Sequence, residues 1–264
     1  MNVTERRMAT LELLHSRDTV EIAELADRFG VSTMTVRRDL RLFERQGLIG
    51  LGYGTAYLKP GAVVQEASFT AKSGEQLEQK LAIGQLAADF VKEGETIVVD
   101  CGTTPLQLLK HLQSKRVTII TNSMPVASYA SGNPKITLIY APGHYDEISA
   151  GLLGELTIEF YHRIRADKVF MGTHGFSVEL GATVPEVVDA STKRAVMAAG
   201  REKFLLVDST KFDQAYLMQT AQLSEFDHVI TDAALDQSNR LLLEAVCRNV
   251  AYANAPAWAS VQPA

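Results

Sequence analysis

The sequence predicts two units of different class: a winged helix-turn-helix over residues 1–58 and a mostly parallel α/β domain over 77–264, joined by a linker at 59–76. Three observations predict this. Thr19–Leu48 reads as two short amphipathic helices around a tight turn, with arginines gathered on the second helix. Ile49–Leu58 alternates glycine with apolar and aromatic residues, the composition of a small β-hairpin wing. From Gln79 onward, apolar β-branched runs alternate with helical stretches, as a parallel sheet covered on both faces requires.

In the head, Ala26, Gly30 and Val36 fall at the offsets of a DNA-binding helix-turn-helix. A small Ala26 lets the helices cross closely, and Gly30 can take the left-handed conformation that ends the first helix. Val36, Leu40 and Phe43 then recur at helical spacing and point inward. Ser32 sits where an N-cap is wanted, and Thr35 occupies the position where a capping box would place Glu or Gln. The outer face is left to Thr33, Met34, Thr35, Arg37, Arg38 and Arg41. Short side chains at the helix start reach base edges or phosphates, and arginines pair bidentately with guanine or clamp the backbone. Ser32, these six residues and Tyr53 of the wing are the candidate contacts to double-stranded DNA.

The linker segment Lys59–Gln76 lacks sustained periodicity and contains Pro60, Gly61 and Gly74. Beyond it, KLAIGQLAADFV reads as a helix. ETIVVD (95–100), VTIIT (117–121), ITLIY (136–140), KVFMG (168–172), KFLLVD (203–208) and HVITD (228–232) read as strands. In open α/β sheets, ligands bind beyond the strand C-termini. Five of these ends carry short polar groups: Asp100–Thr104, Thr121–Ser123, Pro142–His144, Gly172–Gly175 and Asp208–Phe212. Gly102, Thr103 and Thr104 precede a helix and can present backbone N–H groups and hydroxyls to a phosphate, and Lys211 supplies a cation. Five such ends on one sheet edge point to a polyol- or phosphate-binding pocket.

Charge is distributed in keeping with this. Through residue 58, eight arginines balance eight carboxylates, so the net charge of −5 belongs to the rest of the chain. An acidic body on a neutral head argues against unspecific coating of nucleic acid. Met1 opens a polar stretch without a signal-peptide core, and no apolar run approaches the ~20 residues of a membrane span. A cytoplasmic protein without membrane contact is expected. Cys101 and Cys247 lie far apart without metal-ligand spacing, and read as reduced, packed thiols. Neither metal nor cofactor is expected.

VSTMTVRRDLRLFERQGLI resembles the winged helix-turn-helix signature of DeoR-family bacterial transcriptional regulators, with Val31-Ser32-x-x-Thr35-x-Arg37-Arg38-Asp39-Leu40 its specific part. DCGTT, TNS, PGH, GTHG and DSTKF are similar to that family's effector domain, so the resemblance spans nearly the whole chain. It implies a body related to ribose-5-phosphate isomerase and glucosamine-6-phosphate deaminase folds that senses a phosphorylated sugar without converting it. Carried over by position, Asp100, Gly102, Thr103 and Thr104 would cradle phosphate and sugar. Asn122 and Lys211 would complete the pocket, with Gly172, Gly175 and Lys193 at matching positions. The resemblance further implies a repressor of a carbohydrate-use operon, working on operator DNA as a homodimer or homotetramer. Three positions depart from the family pattern. Leu51–Ala56 replaces a wing of the form Arg-x-His-Gly-Gly-Ala, His144 replaces a glycine, and Cys101 replaces a common serine. The alternative is a sugar-phosphate isomerase- or deaminase-like enzyme with an appended helical head, in which Glu186 or Asp189 folds near Asp100. The exposed Arg37, Arg38 and Arg41 face, which an enzyme does not need, discriminates against it.

Overall fold

In the computed structural model, the residues described are 6, 7, 9, 10, 13, 14, 17, 19–45, 49–58 and 69–254. Residues 59–68 of the expected linker and 255–264 of the expected body lie outside them.

The head is a winged helix. Arg6, Arg7, Thr10, Leu13 and Leu14 are helical. They are followed by β1 (Thr19–Glu21), α1 (Ile22–Phe29), α2 (Thr33–Arg45), β2 (Ile49–Leu51) and β3 (Thr55–Leu58). The expected hairpin forms between β2 and β3, with Ile49 opposite Leu58. Thr19–Glu21, read from sequence as the start of the first helix, instead forms a strand antiparallel to β3. Its exposed–buried–exposed pattern seats Val20 in the head core, which suits a β-branched pair better than a helical turn would. Gly30 ends α1 in the left-handed region (φ 63°), its N–H turned back to the carbonyls of Ala26 and Asp27.

The body is built on a seven-stranded sheet in the order β15-β14-β12-β9-β4-β5-β6, and every recorded pairing in it is parallel. These strands are β4 (Thr96–Val99), β5 (Val117–Thr121), β6 (Ile136–Tyr140), β9 (Ala166–Met171), β12 (Gly200–Leu206), β14 (His228–Asp232) and β15 (Val250–Ala253). Alternate residues serve opposite faces. Ile97 and Val99 of β4 pack with Ile119, Phe170 and Phe204 beneath α4 (Leu77–Asp89), α5 (Thr103–Leu108) and α6 (Met124–Ala130). Val98 packs with Ile120, Val169 and Leu205 beneath α7 (Glu155–His162) and α8 (Val187–Ala199). Burial on both faces explains why these strands read as unbroken apolar runs. Gly84 permits the close approach of α4 to α5, since a Cβ there would meet the backbone of Gln107 at 2.6 Å.

Smaller elements supplement this sheet. The strands β7 (His144–Asp146) and β8 (Gly151–Leu153) form a hairpin after β6. β10 (Gly175–Ser177), β11 (Gly181–Val184) and β13 (Met218–Ala221) form an antiparallel sheet beyond the end of β9. Neither was legible in sequence, where polar loop composition dominates three- and four-residue strands. The expected linker is also partly structured, because Phe69–Gly74 forms a helix, α3. Among the described residues no helix is long and apolar enough to cross a membrane.

Candidate functional site

Two surfaces gather the candidate residues, and the first is the outer face of α2. Ser32 Oγ accepts the N–H of Thr35 at 3.2 Å and lies 3.0 Å from its hydroxyl, which starts the helix as the sequence implies. Val36, Leu40 and Phe43 are buried against α1, and Ala26 lies in the same core. Thr33, Met34, Arg37, Arg38 and Arg41 are exposed and Thr35 is half-buried. Among the described residues Arg37, Arg38 and Arg41 make no ion pair, so a row of guanidinium groups faces outward. Tyr53 stands fully exposed at the tip of the wing. The geometry is that of a helix presented to a major groove with a wing beside it.

Asp39, on the same helix, has a different role. Its carboxylate is buried and accepts one hydrogen bond from Arg6 Nε and one from Arg7 Nε, both at 2.8 Å. Asp39 therefore pins the N-terminal helical segment to α2 rather than facing DNA. A buried carboxylate needs this pairing, since leaving one partner unmatched costs roughly 3–5 kcal/mol.

The second surface is a cavity open to solvent at the C-terminal ends of β4 and β9. Gly102, Thr103 and Thr104 form one wall, between β4 and α5. Gly172, Thr173 and His174 form another, just past β9, while α8 contributes Asp189 and Lys193. Lys211 enters from the short helical turn after β12. Phe69 and Lys72 of α3 close it from the side of the linker. Six sequence candidates thus line one cavity: Gly102, Thr103, Thr104, Gly172, Lys193 and Lys211.

Three others do not line it. Asp100 is buried behind the wall, its Oδ2 accepting from Lys193 Nζ at 2.5 Å and from the Gly172 N–H at 3.1 Å. It holds the two walls together instead of reaching a sugar hydroxyl. Asn122 is fully buried, donating to Leu152 O at 2.9 Å and accepting from the Tyr161 hydroxyl at 3.2 Å. Gly175 lies against Gln214, where a Cβ would meet a backbone oxygen at 2.3 Å. The sequence places all three correctly at strand ends, and tertiary contacts then turn them away from the cavity.

The cations differ in state. Burial works against the Lys193 charge, but Asp100 and Asp189 outweigh it and hold the group above the ordinary lysine range. Lys211 is pushed down to about 8, first by burial, with Lys80, Lys72 and Lys193 adding to the effect against Asp208. Its ammonium donates to Thr173 O at 2.9 Å and lies 3.9 Å from Asp208 Oδ2, which has no hydrogen-bond partner among the described residues. Lys80 is buried behind α3, donating to Lys72 O at 2.6 Å, and burial lowers its pKa. Lys72 Nζ lies 3.1 Å from His174 Nε2. Sequence reasoning missed Phe69, Lys72 and His174 as cavity residues, because two of them sit in a segment without periodicity. Cys101 is buried, and burial with Asp100 beside it pushes its thiol well up, as befits a packed group and not a nucleophile. His144 lies outside this cavity, in a neighbouring open hollow that also contains Glu186 and meets the first at Ser149 and Asp189. Asp189 is the second carboxylate that the sequence left open.

Two family models match the chain. The DeoR-like helix-turn-helix domain covers residues 6–59, and the DeoR C terminal sensor domain covers 75–233. A helix-turn-helix-type transcriptional regulator of Escherichia coli K12, YgbI, is 37% identical over 89% of this chain and 91% of its own length. The lactose phosphotransferase system repressor of Lactococcus lactis is 32% identical over 88% and 92%. The glycerol-3-phosphate regulon repressor of E. coli K12 is 30% identical over 88% and 92%. Among solved structures, a ribose 5-phosphate isomerase A from Methanocaldococcus jannaschii matches with TM-score 0.38 and 18% identity, over 51% of this chain and 54% of that one.

Proposed function

Since the chain belongs to the DeoR family of transcriptional regulators, we propose that it represses a carbohydrate-use operon under control of a phosphorylated sugar bound in the C-terminal cavity. The observation that carries this reading is the company Lys211 keeps. Its ammonium is held among Lys72, Lys80 and Lys193 at the mouth of a cavity whose other wall is Gly102–Thr104. Asp100 and Asp189 offset the Lys193 charge, and Asp208 offsets part of that on Lys211. Burial and the neighbouring lysines still hold Lys211 low, so an anion entering the cavity favours its charged form. A phosphate there gains charge-assisted bonds from Lys211 and Lys72, and hydrogen bonds from the threonine hydroxyls and backbone N–H groups. Asp189 and Ser149 line the same cavity and are suited to sugar hydroxyls. The two repressors among the relatives carry sugar-related names, which supports the choice of operon.

The ligand is sensed, not converted. Isomerisation needs a general base placed to take a proton from the substrate. Asp100 is held behind the wall by Lys193 and Gly172. Asp189, which lines the cavity 3.9 Å from the same ammonium, is assigned to sugar hydroxyls, a role that a turnover assay separates from that of a base. On the DNA side, Ser32, Thr33, Met34, Thr35, Arg37, Arg38, Arg41 and Tyr53 are the proposed contacts. One head reads too few base pairs for genomic specificity, so a homodimer or homotetramer on repeated half-sites follows. Calorimetry with a panel of sugar phosphates, on wild type and Thr104→Val, tests the cavity alongside a turnover assay. Binding that weakens in the variant, with no product formed, supports a sensor. Isomerisation or deamination at physiological substrate levels refutes it.

A further inference from the structure

The head's hydrophobic core is completed by the body. Leu180 and Ala215 are buried in one cluster with Leu25, Val36, Leu40 and Phe43, and Leu217 packs against it. Leu180 sits in the turn of the β10–β11 hairpin, beside Glu179, which pairs with Arg7. Arg7 in turn holds Asp39 of α2. An ion-pair chain, Asp39–Arg7–Glu179, thus joins the DNA-reading helix to the hairpin tip.

The root of that hairpin is the cavity wall. Thr173 lines the cavity, and its hydroxyl lies 3.0 Å from Gly175 O and 2.8 Å from Thr183 O, at the open ends of β10 and β11. Lys211 donates to the Thr173 carbonyl at 2.9 Å. The chain leaving Lys211 reaches Ala215, in the head core, four residues later, and on the way the Asp213 N–H bonds Phe176 O at 2.9 Å. Two short, hydrogen-bonded runs of backbone therefore start at the cavity lysine and end among the side chains that seat α2. The antiparallel ladder of β10 and β11 stiffens one of them, so a displacement at its root is carried to its tip.

We propose that the β10–β11 hairpin together with Lys211–Leu217 is the lever through which cavity occupancy reaches the DNA-reading head. The docked head belongs to the empty cavity. An anion that draws the Lys211 ammonium off the Thr173 carbonyl releases the hairpin root, loosens Glu179 and Leu180 at the tip, and frees the head to change its orientation. This rests on the reading of the cavity as a phosphate site. Coupling between two sites is reciprocal in free energy, so docking weakens anion binding by the factor through which the anion weakens docking, and a variant that loosens the docking tightens anion binding by up to that factor.

The test uses the full chain and inorganic phosphate as the probe, with Glu179→Gln and Leu180→Ala as variants at the tip, outside the cavity. In wild type, saturating phosphate is expected to speed amide exchange in Thr33–Arg45 and in the hairpin. By calorimetry both variants are expected to bind phosphate about threefold more tightly than wild type, short of the roughly fivefold at the low end of a typical coupling because each variant weakens the docking only in part. Glu179→Gln keeps the proposal falsifiable should Leu180→Ala disturb the local fold. Phosphate that binds wild type and both variants equally, or binds the variants more weakly, overturns the lever while leaving the cavity reading intact. Failure of wild type to bind phosphate overturns the cavity reading and the lever with it.

Discussion

Replacing Lys193 with Met tests what holds the cavity together. Lys193 and Asp100 are both almost completely buried, with side-chain exposures of 3% and 1%, and meet at 2.5 Å. Their bond ties α8 to the end of β4, across 93 positions of sequence. Removing one partner of a buried pair costs about 3–5 kcal/mol, because the remaining charge is left without its counterion in a dry site. Asp100 keeps the hydrogen bond from the Gly172 N–H, and a bond to a charged group contributes about 1.5–3 kcal/mol, so the low end applies. Lys193→Met is therefore expected to lose about 3 kcal/mol in chemical denaturation at neutral pH, read by circular dichroism. Asp100→Asn/Lys193→Met, which removes both charges, is expected to recover about 2 kcal/mol of that loss. The pH sign agrees with this design. A lysine whose folded pKa is raised contributes stability that is fully present below its unfolded value and is lost only as pH rises through the folded one, so neutral pH reads the whole effect. A single-variant loss below about 1 kcal/mol, or a double variant whose loss is the sum of its singles, refutes the buttress.

Arg37→Ala and Arg38→Ala are each expected to weaken binding to the cognate operator by roughly 1–3 kcal/mol if the lost contact is a bidentate base pair, with the fold intact. Mobility-shift titration measures this, and unchanged affinity for both removes α2 from the reading face. Lys211, at about 8 in the empty cavity, should take up a proton when a phosphate binds, so phosphate affinity falls as pH rises from 7 to 9. Calorimetry in buffers of different ionisation enthalpy detects that uptake, and a flat pH profile with no proton linkage counts against Lys211 as the anion contact. Gly30→Ala meets nothing within 4 Å, so its cost is purely that of a left-handed alanine, about 1–2 kcal/mol of head stability. A thermal melt unchanged by that substitution shows that the turn relaxes.

The helix-turn-helix was legible because its determinants are local. Ala26, Gly30, Ser32 and the Val36–Leu40–Phe43 stripe act within one or two helical turns, and each is found in the expected role. The large sheet was legible for a related reason, since strands buried on both faces need continuous apolar runs whatever their neighbours are. Val117–Thr121 and His228–Asp232 form strands with the bounds read from sequence, and so does Ile136–Tyr140, an edge strand that keeps an apolar run although Ile139 and Tyr140 are exposed. β15 was missed because Val250–Ala253 is only four residues long, two of them alanine, so no β-branched run marks it.

Strand order brings the five polar loop ends to one edge, and the sequence alone predicted that gathering. It did not decide which side chains face the cavity. Asp100, Asn122 and Lys211 all sit beyond strand ends, yet only Lys211 lines the cavity, because Lys193 and Leu152 O meet the other two first. Lys72 enters from a segment without any pattern, and Asp39 turns inward to two arginines more than thirty positions away. The residues on the DNA-reading face follow from helical period, a property of neighbours along the chain. The state of each charge, and the burial of Leu180 and Ala215 in the head's core, follow from contacts between distant segments. Only the packed fold creates those contacts, because desolvation and pairing act on whichever groups it brings together.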